Sequence, residues 1–207
     1  MIAIVTRTSN RPKYFNRCYN SVKNFGVVTS HHVLYDSPND LSYLSDKKVI
    51  PHFIDKHNIS YNEPAPSTAR PPMLSLHNLY FNEVYDKIKE PWVYHLDDDN
   101  YLIPNSINKI MPYLTANTDL VICTINHFTG TLPRFNDFKL KNIRVGGIDT
   151  GCFFVKRELI SKVKWDGWKC GDFRVIEKCA KLSRNTVWVD IPVMTMDKQN
   201  LGNRIDL

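Results

Sequence analysis

Short apolar runs rich in β-branched residues alternate with amphipathic stretches along the first half of the chain. The amphipathic stretch at 12–25 carries Phe15, Cys18, Tyr19 and Val22 on one helical face, with Pro12 at a favoured first position. Because this alternation repeats, the sequence predicts an α/β fold with a central, mostly parallel sheet flanked by helices. The predicted strands are 2–6, 31–36, 47–55 and 91–96, and the predicted helices are 12–25, 73–88 and 104–114.

The second half has a less regular pattern. It predicts strands at 118–128 and 186–191, a polar loop at 133–142, a strand leading into a helix over 146–159, and a helix at 171–182. We expect a single domain over residues 1–207, in which 1–115 bind a nucleotide, 116–193 face an acceptor, and 194–207 form a mobile tail. The proline-rich stretch 62–72 is interpreted as a surface loop near the site rather than a linker.

Composition narrows the class of protein. The chain is 43% hydrophobic and carries five cysteines, an odd number without a C-x-x-C pair, which argues against a disulfide framework or a zinc site. No run approaches the length of a membrane span, and the N-terminus lacks a signal-peptide pattern, so we expect a cytoplasmic protein. The formal charge of +6 suggests an anionic partner. Nucleic acid is not expected, because no dense Lys/Arg run or basic–aromatic stripe is present.

Three consecutive acids, Asp97–Asp99, follow the predicted strand 91–96 in the sequence VYHLDDDNYLIP. Ligands of open α/β sheets bind outside the carboxyl ends of strands, where Thr6, Thr8 and Asp36 are also expected. Carboxylates at a strand end are suitable ligands for Mg²⁺ or Mn²⁺, and such a cation offsets their mutual repulsion. A solvated turn that caps the next helix is the alternative reading of the acids.

Several segments together resemble one family. LDDDNYLIP resembles the Asp-x-Asp (DXD) region of nucleotide-sugar-dependent glycosyltransferases with the GT-A fold, and most closely the small inverting family-2 enzymes of the spore-coat polysaccharide type. Other segments resemble the same family in the same order over roughly residues 1–185: VTRTSNRPKYFNRCYNSV, VLYDSPND, TARPP, GGIDTGCFFVKREL and KCGDFRVIEKC. The resemblance implies a metal-dependent transfer of a sugar from a nucleotide diphosphate, by preference UDP, to a hydroxyl of a glycan or another acceptor.

The resemblance also implies roles for particular residues. On the donor side, Asp98 would contact the ribose, and Asp97 and Asp99 would hold Mn²⁺ or Mg²⁺. The other donor-side residues would contact the nucleotide: Thr6, Thr8, Arg11, Asp36 and Arg70.

On the acceptor side, Asp172 would be the general base of an inverting transfer, with Asp149 and Trp168 contacting donor sugar or acceptor. Helix capping by Asp172 and core packing of Trp168 are the plainer alternatives. Asp166 and Asp149 are the reserve candidates for the base.

One departure from the family concerns the metal. Many relatives place a histidine after the base as a third ligand, whereas the last histidine here is His127, so Asp197 or water would have to replace it. Alternatives to the main reading are a retaining transferase on the same fold, a Mg²⁺-dependent phosphatase or nuclease, and a catalytically silent nucleotide-sugar-binding module. The chain fits either a whole protein or one domain of a longer one.

Overall fold

A nine-stranded sheet forms the centre of the protein. The structure, a computed structural model, describes residues 1–24, 29–69 and 71–196. The strands are β1 (Ile2–Thr8), β2 (Thr29–Tyr35), β3 (Ile50–Phe53), β4 (Trp92–His95), β5 (Asn100–Leu102), β6 (Leu120–His127), β7 (Gly130–Leu132), β8 (Phe153–Lys156) and β9 (Thr186–Met196).

The helices are short apart from two. The α-helices are α1 (Pro12–Lys23), α2 (Leu41–Leu44), α3 (Ser106–Ile110), α4 (Phe135–Lys139), α5 (Arg157–Ile160) and α6 (Gly171–Leu182). The 3₁₀ helices are Pro38–Asp40, Lys56–Asn58, Leu76–Glu83, Tyr85–Lys87, Met111–Tyr113 and Thr150–Cys152.

The strand order is β3-β2-β1-β4-β8-β6-β9-β5, with β7 paired to β6. Strands β1 to β4 run in one direction, as do β6 and β9, whereas β8 lies antiparallel between β4 and β6. The mostly parallel α/β prediction is therefore confirmed. One sheet takes strands from both predicted halves of the chain.

The central strands can be predicted from the sequence because they bury continuous runs of apolar residues. All four residues of β4 are buried, as are the first six of β6, so both appear as continuous apolar runs. Helix α1 packs Phe15, Cys18 and Val22 inward, on the face that the sequence predicts.

The predicted α-helix at 73–88 is wrong in type, because the chain forms 3₁₀ turns there. Residues three apart eclipse in a 3₁₀ helix, and Asn78, Phe81 and Val84 are all buried on one side. Backbone pairing fixes the start of this segment, since Ser75 N–H donates to the Gly167 carbonyl at 2.7 Å.

Four further elements differ from the sequence prediction. The predicted loop at 133–142 contains α4, whose Asp137 accepts from Arg144 at 2.7 Å. Strands β5 and β7 were not predicted, because three residues are too few to show a period. Strand β9 extends to Met196 and pairs with β5, so the first residues of the predicted tail, 194–196, are part of the sheet. Residues 197–207, including Asp197, lie outside the described residues.

Candidate active site

The candidate site lies at the edge of the sheet where three neighbouring parallel strands end. Strand β1 lies between β2 and β4, so Thr8, Asp36 and the acids Asp97–Asp99 lie at the same edge. Strand β8 runs in the opposite direction and therefore starts at this edge, which brings Asp149 to it. The sequence analysis expected this convergence because the residues follow predicted parallel strands, and the structure supplies the strand order that brings them together.

Each acid of the triplet has its own basic or hydroxyl partner. Arg7 Nη2 donates to Asp97 at 2.7 Å, and Thr8 Oγ1 donates to Asp98 at 2.8 Å. Arg11 bridges the other two, at 2.9 Å from Asp98 and 3.0 Å from Asp99. The three acids therefore occupy different environments and do not form one solvated patch.

Burial separates the charge states of two of these acids. Burial raises the pKa of Asp98 to about 7, even though Arg11 acts to lower it. Burial also acts to raise the pKa of Asp97, but the ion pair with Arg7 outweighs it and leaves that pKa below its usual value. Asp97 therefore stays ionised at neutral pH, whereas Asp98 is close to half protonated.

Arg7 links the acid triplet to the loop that precedes α6. Its guanidinium lies 4.4 Å from the centre of the Phe81 ring, and Nη1 donates to Asn78 Oδ1 at 3.0 Å. Asn78 in turn donates through Nδ2 to the Trp168 carbonyl at 3.2 Å. A Cβ on Gly171 would lie 2.8 Å from that Nδ2, so the first residue of α6 packs directly on Asn78.

The sequence analysis missed Arg7 and Asn78 as site residues. Both carried a signal, because Arg7 is a charge inside an apolar strand and Asn78 is a polar residue on an otherwise apolar face. Neither signal identifies a partner, since the contacts join segments about 70 to 90 residues apart in the chain.

Asp172 and Asp149 are two further buried carboxyls near the acid triplet, and each feels the charge of Asp97. Asp172 is the second residue of α6, and burial raises its pKa to about 6, with Asp97 adding to the shift. Burial raises the pKa of Asp149 to about 7, with Asp172 and then Asp97 adding to it. Because Asp97 raises the pKa of both groups, the two carboxyls belong to the same edge as the acid triplet. A carboxylate with a raised pKa is suited to accepting a proton near neutral pH.

Asp36, which follows β2, has one carboxylate oxygen without a hydrogen-bond partner among the described residues. Tyr80 Oη donates to Asp36 Oδ2 at 2.9 Å, while Oδ1 is buried and has no hydrogen-bond partner within the described ranges. A buried acceptor of this kind is costly unless a ligand N–H or a water satisfies it.

Thr6 is placed differently. Its side chain is fully buried and hydrogen-bonds His31 Nε2 at 2.8 Å, so any contact of Thr6 with a ligand would have to come from its backbone. Arg70 lies outside the described residues.

The two tryptophans of the WDGW segment differ in exposure. Trp168 is half-buried, lies edge-on to Tyr61 and donates its Nε1 hydrogen to the Glu63 carbonyl at 3.1 Å. Trp165 is buried in the core. Asp166 is bound through both oxygens by Arg174, at 2.6 Å each, so its role is to fix the loop before α6.

A divalent cation fits the chemistry of this edge. Within residues 1–24, 29–69 and 71–196, no group of three or more His, Cys, Asp or Glu side chains has the geometry of a metal site. Mg²⁺, however, is commonly held by one or two carboxylates together with substrate phosphates and water. Asp97 and Asp99 offer such a pair, and a bound diphosphate would supply the remaining oxygens.

Comparison with solved structures identifies the architecture. TarS of S. aureus (residues 1–349) superposes with a TM-score of 0.69 at 12% identity, over 94% of this chain and 59% of that one. The chain has the GT-A fold. A mannosyltransferase from Pyrobaculum calidifontis, solved with GDP-Man and Mn²⁺, superposes with a TM-score of 0.63 at 12% identity, over 94% of this chain and 56% of that one.

These structural neighbours are glycosyltransferases. TarS 1–349 has also been solved with UDP and with UDP-GlcNAc. The chain spans less than two thirds of the length of the glycosyltransferase structures it matches. No protein-family model and no curated protein sequence matches it. Among the described helices, none has both the length and the apolar character needed to cross a membrane.

Proposed function

We propose that the protein is a glycosyltransferase that moves a sugar from a nucleotide diphosphate, by preference UDP, to a hydroxyl group of a glycan or another acceptor. The observation that carries the proposal is the meeting of two groups of residues at one sheet edge. Asp36 and the triplet Asp97–Asp99 follow β2 and β4, and the buried carboxyls Asp149 and Asp172, whose pKa values Asp97 raises, lie near the triplet. The GT-A fold supports this reading.

On the donor side, each residue has a role that its surroundings permit. Asp36 Oδ1 would accept the base N–H, Asp98 would contact the ribose, and the β1 end at Thr6 and Thr8 would line the nucleotide. Arg70 is kept as a nucleotide contact from the sequence alone.

Arg11 would exchange partners when the donor binds. Its guanidinium, about a third exposed, now bridges Asp98 and Asp99 at 2.9 and 3.0 Å, and it would turn to the diphosphate and leave Asp99 to a cation. When bound at Asp97 and Asp99, Mn²⁺ or Mg²⁺ would stabilise the negative charge that develops on the leaving diphosphate.

On the acceptor side, we assign Asp172 as the general base of an inverting transfer. Its carboxylate would take the proton of the acceptor hydroxyl while that oxygen bonds to the anomeric carbon and the bond to the diphosphate breaks. Asp149 and the exposed edge of Trp168 would orient the sugar or the acceptor.

Two alternatives on the same fold remain distinct from this proposal. A retaining transferase would use the donor edge without needing Asp172 as base, and a silent module would bind the donor without turnover. The raised pKa of Asp172 favours the inverting enzyme over the silent module, because a merely helix-capping carboxylate is typically an exposed and ionised group. Membership of the small family-2 type and a role in polysaccharide biosynthesis are further parts of the proposal.

Thermal-shift measurements with a panel of nucleotide sugars, with and without Mn²⁺, test donor binding. Release of UDP from the stabilising donor then tests turnover, in the wild type, in Asp172→Asn and in the exposed control Asp86→Asn. We expect Asp172→Asn to keep the thermal shift but to lose turnover by about 100-fold or more, with the control unchanged. If no nucleotide sugar raises the melting temperature in the presence of Mn²⁺, the proposal is wrong. Turnover that survives in Asp172→Asn would instead support a retaining enzyme.

A further inference from the structure

A basic cleft lies at the far end of the helix that carries the candidate base. The cleft has a volume of about 460 Å³. Its rim consists of lysines, its floor is apolar, and its lining residues are Lys162, Val163, Lys164, Lys178, Lys181 and Leu182. We name it the lysine cleft.

The four lysines come from two separate segments that face each other. Lys162 and Lys164 belong to the turn after α5, which is fixed by backbone bonds to the Leu159 and Ile160 carbonyls at 3.1 and 3.0 Å. Lys178 and Lys181 lie one turn apart on α6. The C-terminal end of a helix attracts cations, which accounts for the pair on α6 but not for the pair on the turn.

Little negative charge compensates these lysines within the protein. Among the described residues, Lys181 Nζ forms an ion pair with Glu177 Oε1 at 3.0 Å. Like charges on one helical turn are destabilising. The other three lysines, Lys162, Lys164 and Lys178, form no ion pair among those described, and an external anion could supply the opposite charge.

The floor of the cleft suits a chain rather than a lone ion. Leu182 is 59% exposed, and Val163 forms the buried base beneath it. An apolar floor between two cationic rims matches an extended polymer, whose backbone lies on the floor while its anionic groups reach the lysines. A small free anion would gain nothing from Leu182.

The position of the cleft connects it with the candidate active site. Asp172 is the second residue of α6, and Lys178–Leu182 lie a rise of about 9 to 15 Å further along the helix axis, so a chain that joins the two sites has to pass around the helix as well as along it. Successive units of one extended chain can span that distance. An acceptor unit at Asp172 would then have its neighbouring units at the lysines.

We propose that the lysine cleft binds a polyanionic chain, bearing phosphate or carboxylate groups, as a second site for the acceptor. The link to sugar transfer rests on the proposed function. Binding of the chain can be measured without any turnover.

The test is fluorescence anisotropy with labelled polyphosphate and labelled polyglutamate at about 0.1 M salt, where charges beyond about 10 Å are screened. The cleft variant carries glutamine at the four lysines Lys162, Lys164, Lys178 and Lys181. A matched control removes the same charge at exposed lysines elsewhere: Lys48, Lys109, Lys139 and Lys141. We expect the cleft variant to lose about tenfold or more in affinity for at least one polymer, and the control about twofold or less.

Several results would overturn the proposal. These are wild-type binding by the cleft variant, equal losses in both variants, or no binding of either polymer by the wild type. Binding of vesicles with anionic lipid, but of neither polymer, would assign the cleft to a membrane surface instead. The donor-induced thermal shift is measured on the same variants. If the wild type shows no shift, the proposed function fails while the polymer result still decides the cleft.

Discussion

Replacing Asn78 with alanine would remove both hydrogen bonds that connect the acid triplet to the loop before α6. The bond from Arg7 involves a charged donor at 3.0 Å, and the bond to the Trp168 carbonyl is neutral at 3.2 Å. Such bonds contribute about 1.5–3 and about 1 kcal/mol respectively, so we expect a loss of about 3 kcal/mol. For a chain of this size that lowers Tm by about 6–12 °C.

Asn82 provides a matched control on the same 3₁₀ helix. Its amide exchanges two hydrogen bonds with the backbone of Trp165, at 3.0 and 2.9 Å, but it does not contact Arg7 among the bonds described. Asn82→Ala should therefore lower stability by a comparable amount, about 2 kcal/mol. Of these two amides, Asn78 is the one that connects Arg7, and through it the acid triplet, to the loop before α6.

The decisive measurement is turnover well below the Tm of both variants, with kcat and KM for the donor determined separately. Because misplacement of a reacting group by about 1 Å can cost about 100-fold, we expect kcat to fall about 10- to 100-fold in Asn78→Ala. In Asn82→Ala we expect a fall of about twofold or less. Equal losses of kcat in the two variants, or normal kcat in Asn78→Ala, would refute the reasoning.

Three other changes test separate parts of the structure. Burial lowers the pKa of His31 to about 3, so below about pH 6.5 this histidine takes up a proton in the unfolded state but not in the folded state. Between pH 7.0 and 5.5 the free energy of unfolding of the wild type should therefore fall by about 1 kcal/mol more than that of His31→Gln, as measured by urea unfolding. Arg174→Met leaves Asp166 buried without its ion pair and should lower the free energy of unfolding by about 3 kcal/mol or more. A Tm within about 2 °C of the wild type, measured by calorimetry, would contradict the pairing. Asp36→Ala should weaken binding of the nucleotide alone by about tenfold in calorimetric titration. Loss of the Tyr80 hydrogen bond should also lower stability by about 1–2 kcal/mol, so the titration is made well below the Tm of the variant; unchanged affinity would remove Asp36 from the donor site.

The sequence alone was sufficient for the fold class and for the expectation that the acids after the parallel strands meet at one edge of the sheet. Periodicity identified β1, α1, β4 and α6 because each buries a whole run or a whole face of apolar residues. Once parallel strands were expected, the acids after β4 and the acid after β2 had to lie at one edge.

What the sequence could not supply depends on contacts between distant segments. The 3₁₀ form of Leu76–Glu83 follows from its packing against the loop before α6, which no local pattern encodes. The partners of Arg7 are Asp97 and Asn78, which sequence distance conceals. The antiparallel direction of β8 decides that Asp149 reaches the site, and an apolar run has no direction.

Strand β1 ends with neighbouring side chains that project to opposite faces of the sheet. Arg7 on one face binds Asp97, and Thr8 on the other binds Asp98. Inserting or deleting one residue within β1 would exchange these faces and disconnect both acids at once. Insertions and deletions among natural relatives should therefore be absent from residues 2–8. They should occur instead in surface loops such as 62–69, where no strand pairing fixes the position of each residue.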